Sequence, residues 1–176
     1  MIKDKLKYVD ERDKSFGIAG MAISIVALDG EQYLESLSID APLGHSVELS
    51  EDFYFTGNPR LSAKIAWNEM LRHFRISSGM LISNAVCRNY VQHRRKLSKE
   101  IVELLKSTIS QVAIDSCSLE QDECDDLFEK DFAYFDNLFS YARVHEIATQ
   151  LADEIVRKRS MSAPEIIEQL RQLSLI

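Results

Sequence analysis

Where glycine and proline fall constrains this chain more than any other feature. All six glycines lie at or before Gly79, and no proline stands between Pro59 and Pro164. Both residues interrupt regular structure, glycine through backbone entropy and proline through its missing N–H. From Met80 onward the chain is rich in Leu, Ala, Glu, Lys, Gln and Arg, all good helix formers. With 176 residues, 45% of them apolar, it is long enough for one core and little more. The expectation is a mainly α single domain over 1–176, with an irregular N-terminal third (1–58) and a helical bundle (59–176). About five helices are expected, the last four antiparallel, with a short extended or β element near the N-terminus.

Apolar spacing places the helices. Ala63, Trp67, Met70, Leu71 and Phe74 recur at three and four residues, with Asn58-Pro59 as a natural start. Ser77-Ser78-Gly79 predicts a kink or an end, after which Leu81, Ile82, Ala85, Val86 and Asn89 form a second stripe. Ser98 reads as the N-cap of a third helix whose stripe is Ile101, Leu104, Leu105, Thr108, Ile109 and Val112. Ser118 with Gln121 reads as the capping box of a fourth, with a break or bend around Tyr141 to His145. Ser162 with Glu165, and Pro164 in the first turn, open a short last helix.

Three readings compete for Phe16 to Asp40. One is a single long helix, another a β-hairpin turning at Asp29-Gly30. The third is a helix to Leu28, capped by Gly30 in the left-handed conformation, then an extended Tyr33-to-Ile39 segment. Ser36, Ser38 and Ile39 suit a strand better than a helix, which favours the third. Residues Gly17 to Leu28 are apolar on more than one side, the pattern of a core helix or of a contact between copies.

Several function classes drop out. The longest apolar run, Phe16 to Leu28, has thirteen residues, whereas a membrane span needs roughly 20. Acidic residues before that run and Asp29 after it argue against a signal peptide. Three cysteines without C-x-x-C spacing indicate neither a disulfide framework nor a zinc knuckle, so a reducing, cytoplasmic setting is expected. Twenty-one basic against 28 acidic residues, a net charge of -7, argue against wholesale nucleic-acid binding. The common hydrolase, P-loop and dinucleotide motifs are missing, and the four histidines form no metal-ligating pair.

Two charged constellations remain. Asp122, Asp126 and Glu129 stand at i, i+4 and i+7, so a helix puts their carboxylates on one face, where oxygen ligands can hold Mg²⁺ or Mn²⁺. The same residues also suit the positive end of a helix dipole. Between Arg88 and Lys99 the residues Arg88, Arg94, Arg95, Lys96 and Lys99 carry five positive charges with no acid among them. Arg88, Arg94, Arg95 and Lys96 are candidates for an anion or an acidic partner. Asp131 sits on an apolar stripe, so its carboxylate needs an arginine from the second helix segment or a place at a groove edge.

Patterned apolar faces outweigh catalytic constellations. The leading expectation is a non-enzymatic interaction or regulatory module that binds a protein partner or itself as a homo-oligomer, without a cofactor. A metal-dependent phosphate-ester hydrolase using Asp122, Asp126 and Glu129 is the second reading. A nucleic-acid or anion binder using the Arg88 to Lys99 stretch is the third.

Overall fold

The computed structural model describes residues 6–42, 44–54 and 62–175. In chain order it contains α1 (Glu11–Ala27), a 3-10 turn (Glu31–Tyr33), β1 (Leu34–Ser38), β2 (Val47–Leu49) and α2 (Glu51–Tyr54). Then come α3 (Ala63–Cys87), a π-helical turn (Arg88–Gln92), α4 (Lys99–Cys117), α5 (Gln121–Leu138) and α6 (Ala142–Lys158). The chain closes with β3 (Ser160–Ser162), α7 (Ala163–Leu170) and a 3-10 turn (Arg171–Leu175). The protein is mainly α with a small β element, as the glycine and proline pattern requires. Seven α-helices stand among the described residues where about five were expected. The four-residue α2 is one addition, and another is the complete break between α5 and α6. None of these helices is long and apolar enough to cross a membrane.

Helix α1 is the element on which α3 and α6 pack most extensively, while α4 and α5 pack on each other and on α3. Its buried residues run without a gap from Ser15 to Gly20 and again from Ala22 to Ile25, so it is sheathed on most sides and is a core helix. Gly20 makes this possible, since an added Cβ would overlap the Ser83 carbonyl oxygen and the Cys87 Cβ of α3. Asp10 caps α1 by accepting the Asp13 N–H at 2.7 Å.

The third reading of the N-terminal region holds, with one correction. The left-handed residue after α1 is Asp29, at φ 53°, rather than Gly30, at φ -104°. The Gly30 N–H bonds the Ile25 carbonyl at 2.7 Å and the Asp29 N–H bonds that of Val26 at 3.0 Å, a Schellman closure. Glycine stands at 30 because a Cβ there would meet Ile25 and Ile76 at about 3.0 Å. The following strand belongs to a three-stranded antiparallel sheet of order β2-β1-β3. Leu37 pairs with Val47 on one side and with Met161 on the other.

The helix does not end at Ser77-Ser78-Gly79, where a kink or an end was expected. Helix α3 runs 25 residues through it, and Ser78 Oγ simply donates back to the Arg75 carbonyl. Gly79 is there for packing, because a Cβ would lie 2.9 to 3.1 Å from Leu28 Cδ1 and the Phe135 ring. Ser62 caps the described start of α3, and Asn58-Pro59 falls outside the described residues. Ser98 caps α4 as expected, but the buried face is Leu105, Ile109, Ala113 and Cys117, leaving Thr108 and Val112 exposed. Ser118 is not the cap of α5. It takes the left-handed conformation that ends α4, and the Glu123 carboxylate closes the next helix on the Glu120 N–H at 2.9 Å. The Ser162 to Glu165 capping box forms as read from the sequence.

Candidate anion groove

The basic stretch divides where α3 passes into the π-helical turn. Arg88 points inward and is 6% exposed, facing Asp13 of α1, which is 1% exposed. Its Nε donates to Asp13 Oδ1 at 2.8 Å and its Nη2 to Oδ2 at 2.5 Å. Nη1 and Nη2 also donate to the Leu6 and Lys7 carbonyls, and the guanidinium lies 4.9 Å over the Tyr8 ring. Burial acts to raise the Asp13 carboxyl, yet the hydrogen bonds from Arg88 and from the Val9 N–H outweigh it and hold it below the ordinary range. With its donors committed in this way, Arg88 belongs to the core and not to a ligand surface.

Beyond the π turn the chain reverses. Arg94 adopts φ 53°, and the Arg95 N–H returns to the Asn89 carbonyl at 3.0 Å. Arg95 Nε holds Asn89 Oδ1 at 3.1 Å. These bonds set the Arg94, Arg95 and Lys96 side chains on the surface, against the corner between α5 and α6. Two adjoining hollows of about 630 and 310 Å³ lie there and share Arg94, Ser140 and His145. Together they form one open groove.

His145 organises its floor. One ring nitrogen, Nε2, is 2.6 Å from the Phe139 carbonyl oxygen, which can only accept, so Nε2 carries the hydrogen. Nδ1 then accepts from Arg94 Nη1 at 2.7 Å. The start of α6 opens into the same groove through Ala142 and His145. Its N-cap, Tyr141, provides no side-chain cap, and its carbonyl takes the N–H groups of Val144 and His145. The Ala142 and Arg143 N–H groups therefore stand at the positive end of the helix dipole without an intrahelical acceptor. Glu146 is the one acid among the lining residues, and it pairs with Arg143 at 2.6 Å. At the edge, the Tyr90 hydroxyl donates to the Asp136 carboxylate, and burial followed by that contact pushes the phenol pKa up.

The acidic candidates lie elsewhere. Asp122, Asp126 and Glu129 are exposed on α5, and Glu129 and Asp125 approach Lys106 of α4 at 3.4 and 3.5 Å. Among the described residues no group of three His, Cys, Asp or Glu is placed to hold a metal ion. Asp131 is 2% exposed and is held by Arg75, with Nη2 to Oδ1 at 2.6 Å and Nε to Oδ1 at 3.1 Å. Its partner comes from the first half of α3, not from the segment beyond Gly79. All three cysteines are buried and unbridged.

Sequence reasoning found Arg94, Arg95 and Lys96 as a charge run but missed Ser140, His145 and the start of α6, which only the tertiary fold brings beside them. No family model matches this chain, and no curated protein and no solved structure matches it.

Proposed function

We propose that this protein is a non-enzymatic binding module that takes a phosphate-bearing ligand in the groove at the α5–α6 corner. One observation carries the reading. Three surface cations, Arg94, Arg95 and Lys96, converge with the open start of α6 on one groove in a chain whose net charge is -7. Backbone N–H groups at a helix start and guanidinium forks match phosphate oxygens in number and geometry. The groove's volume suits a small molecule, and the overall acidity disfavours a long nucleic-acid track.

Calorimetric titration with inorganic phosphate and pyrophosphate at low salt tests this. Pyrophosphate is expected to bind more tightly, with an affinity that falls as salt rises. The double variant R94Q/R95Q should lose at least tenfold, whereas K99Q, whose residue lies outside the groove, should keep the parent affinity. Absence of binding at millimolar pyrophosphate overturns the reading.

Self-association is the second reading, and the start of α3 favours it. Ile65 and Trp67 there are 47% and 39% exposed, two large apolar side chains left uncovered on different sides of the helix. Sedimentation of the full chain decides it. A species heavier than 20.1 kDa that I65S/W67S returns to one chain supports it, and a monomer at high concentration removes it.

A further inference from the structure

Apart from the groove, a partly open cavity of about 200 Å³ lies among the segment before α1, α1 itself, the approach to β2, α3 and α4. Its body is apolar: Met21, Met80, Leu81 and Leu105 face it, and among the described residues none that lines it is charged. Tyr8, Ser46 and Asn84 add polar groups to the wall. Asn84 donates to Tyr8 Oη at 2.7 Å and accepts from Arg88 at 3.4 Å. Tyr8 Oη accepts that bond, which leaves its own hydrogen to donate. Ser46 is 3% exposed, and its hydroxyl is buried with no hydrogen-bond partner among the described residues. A buried hydroxyl without a partner is costly and calls for an explanation.

From this combination we infer a second ligand site, one that takes a neutral aromatic molecule bearing a single hydroxyl or carbonyl group. Size comes first: a dry cavity of about 150 Å³ holds a benzene ring, so this one accommodates a ring with a small substituent. The lining among the described residues carries no charge that would compensate an ionised ligand, which favours a neutral one. Two methionines favour an aromatic ring, because the thioether adapts its shape and makes favourable sulfur–aromatic contacts. Tyr8 and Ser46 supply the polar end. This site does not depend on the phosphate reading of the groove.

The test uses the full chain labelled with ¹³C-methyl methionine and titrated with p-cresol, and in parallel with toluene. The expected result is saturable movement of the Met21 and Met80 methyl signals at millimolar p-cresol, with Met161, buried at β3, unmoved. S46A removes one oxygen and should weaken p-cresol about fivefold while leaving toluene unchanged. Shifts that never saturate, shifts that include Met161, or equal p-cresol affinity for S46A and the parent overturn the inference.

Discussion

Arg88 and Arg94 belong to one basic run, yet they end in opposite surroundings. Arg88 is sealed against Asp13, a partner from α1, with backbone carbonyls taking its remaining donors. Arg94 lies on the surface, where the His145 ring nitrogen is its hydrogen-bond partner among the described residues. The difference lies in where the helix stops. Arg88 sits on the inward face at the end of α3, while Arg94 follows the π turn, in a left-handed conformation that releases its side chain outward. A count of charges along the chain joins these residues, and the fold divides them into a core clamp and a ligand surface.

The largest expected effect comes from breaking the clamp. Arg88→Ala strands a buried carboxylate and should cost about 3–5 kcal/mol in urea unfolding. Replacing both partners, Arg88→Met with Asp13→Leu, should cost less than that single change, and a larger loss would show that the pair itself stabilises the fold. Next is Gly20→Ala, which forces α1 away from the Ser83 carbonyl and should cost about 2–3 kcal/mol by thermal unfolding.

A smaller effect is pH-dependent. Because Asp13 is held below its ordinary value of 3.8 in the folded state, its contribution is complete above that value and is lost as pH falls through the lower folded one. Urea midpoints measured from pH 6 to 3 should therefore fall more steeply for the parent than for the doubly substituted Met/Leu protein. Arg94→Gln should be the mildest, within about 0.5 kcal/mol of the parent in stability, although it weakens pyrophosphate binding. Equal destabilisation by Arg88→Ala and Arg94→Gln would erase the distinction between the two arginines.

Much of the fold was legible because it is local. Ser98 and the Ser162 to Glu165 box are short-range signals that appear where the residues put them, and the break expected around Tyr141 to His145 falls slightly earlier, between Leu138 and Ala142. Gly79 misled because its meaning is tertiary: the missing side chain makes room for Phe135 rather than ending a helix. Ser118 misled because two acceptable capping boxes overlap, and the chain uses Glu120 with Glu123. The groove was half legible. Its cations stand together in sequence, but His145 and Ser140 come from another helix corner, and no periodicity brings them near. The Ser46 cavity left no signal at all, since an unpartnered hydroxyl exists only once walls surround it.

The short strand β3 has a kinetic consequence. Its partner β1 lies far back along the sequence, so Leu37 can meet Met161 only after the long stretch between them, α2 through α6 included, is available. Closing so long a loop costs entropy before any contact compensates it, whereas β1 meets β2, and α4 meets α5, across short turns. The two edges of one small sheet thus form at different times. In pulsed hydrogen exchange during refolding, amides bonded between β1 and β2 should gain protection before those bonded between β1 and β3. A chain still emerging from the ribosome carries β1 with one edge open until Ser160–Ser162 arrive, and that edge is where a neighbouring chain would pair by mistake.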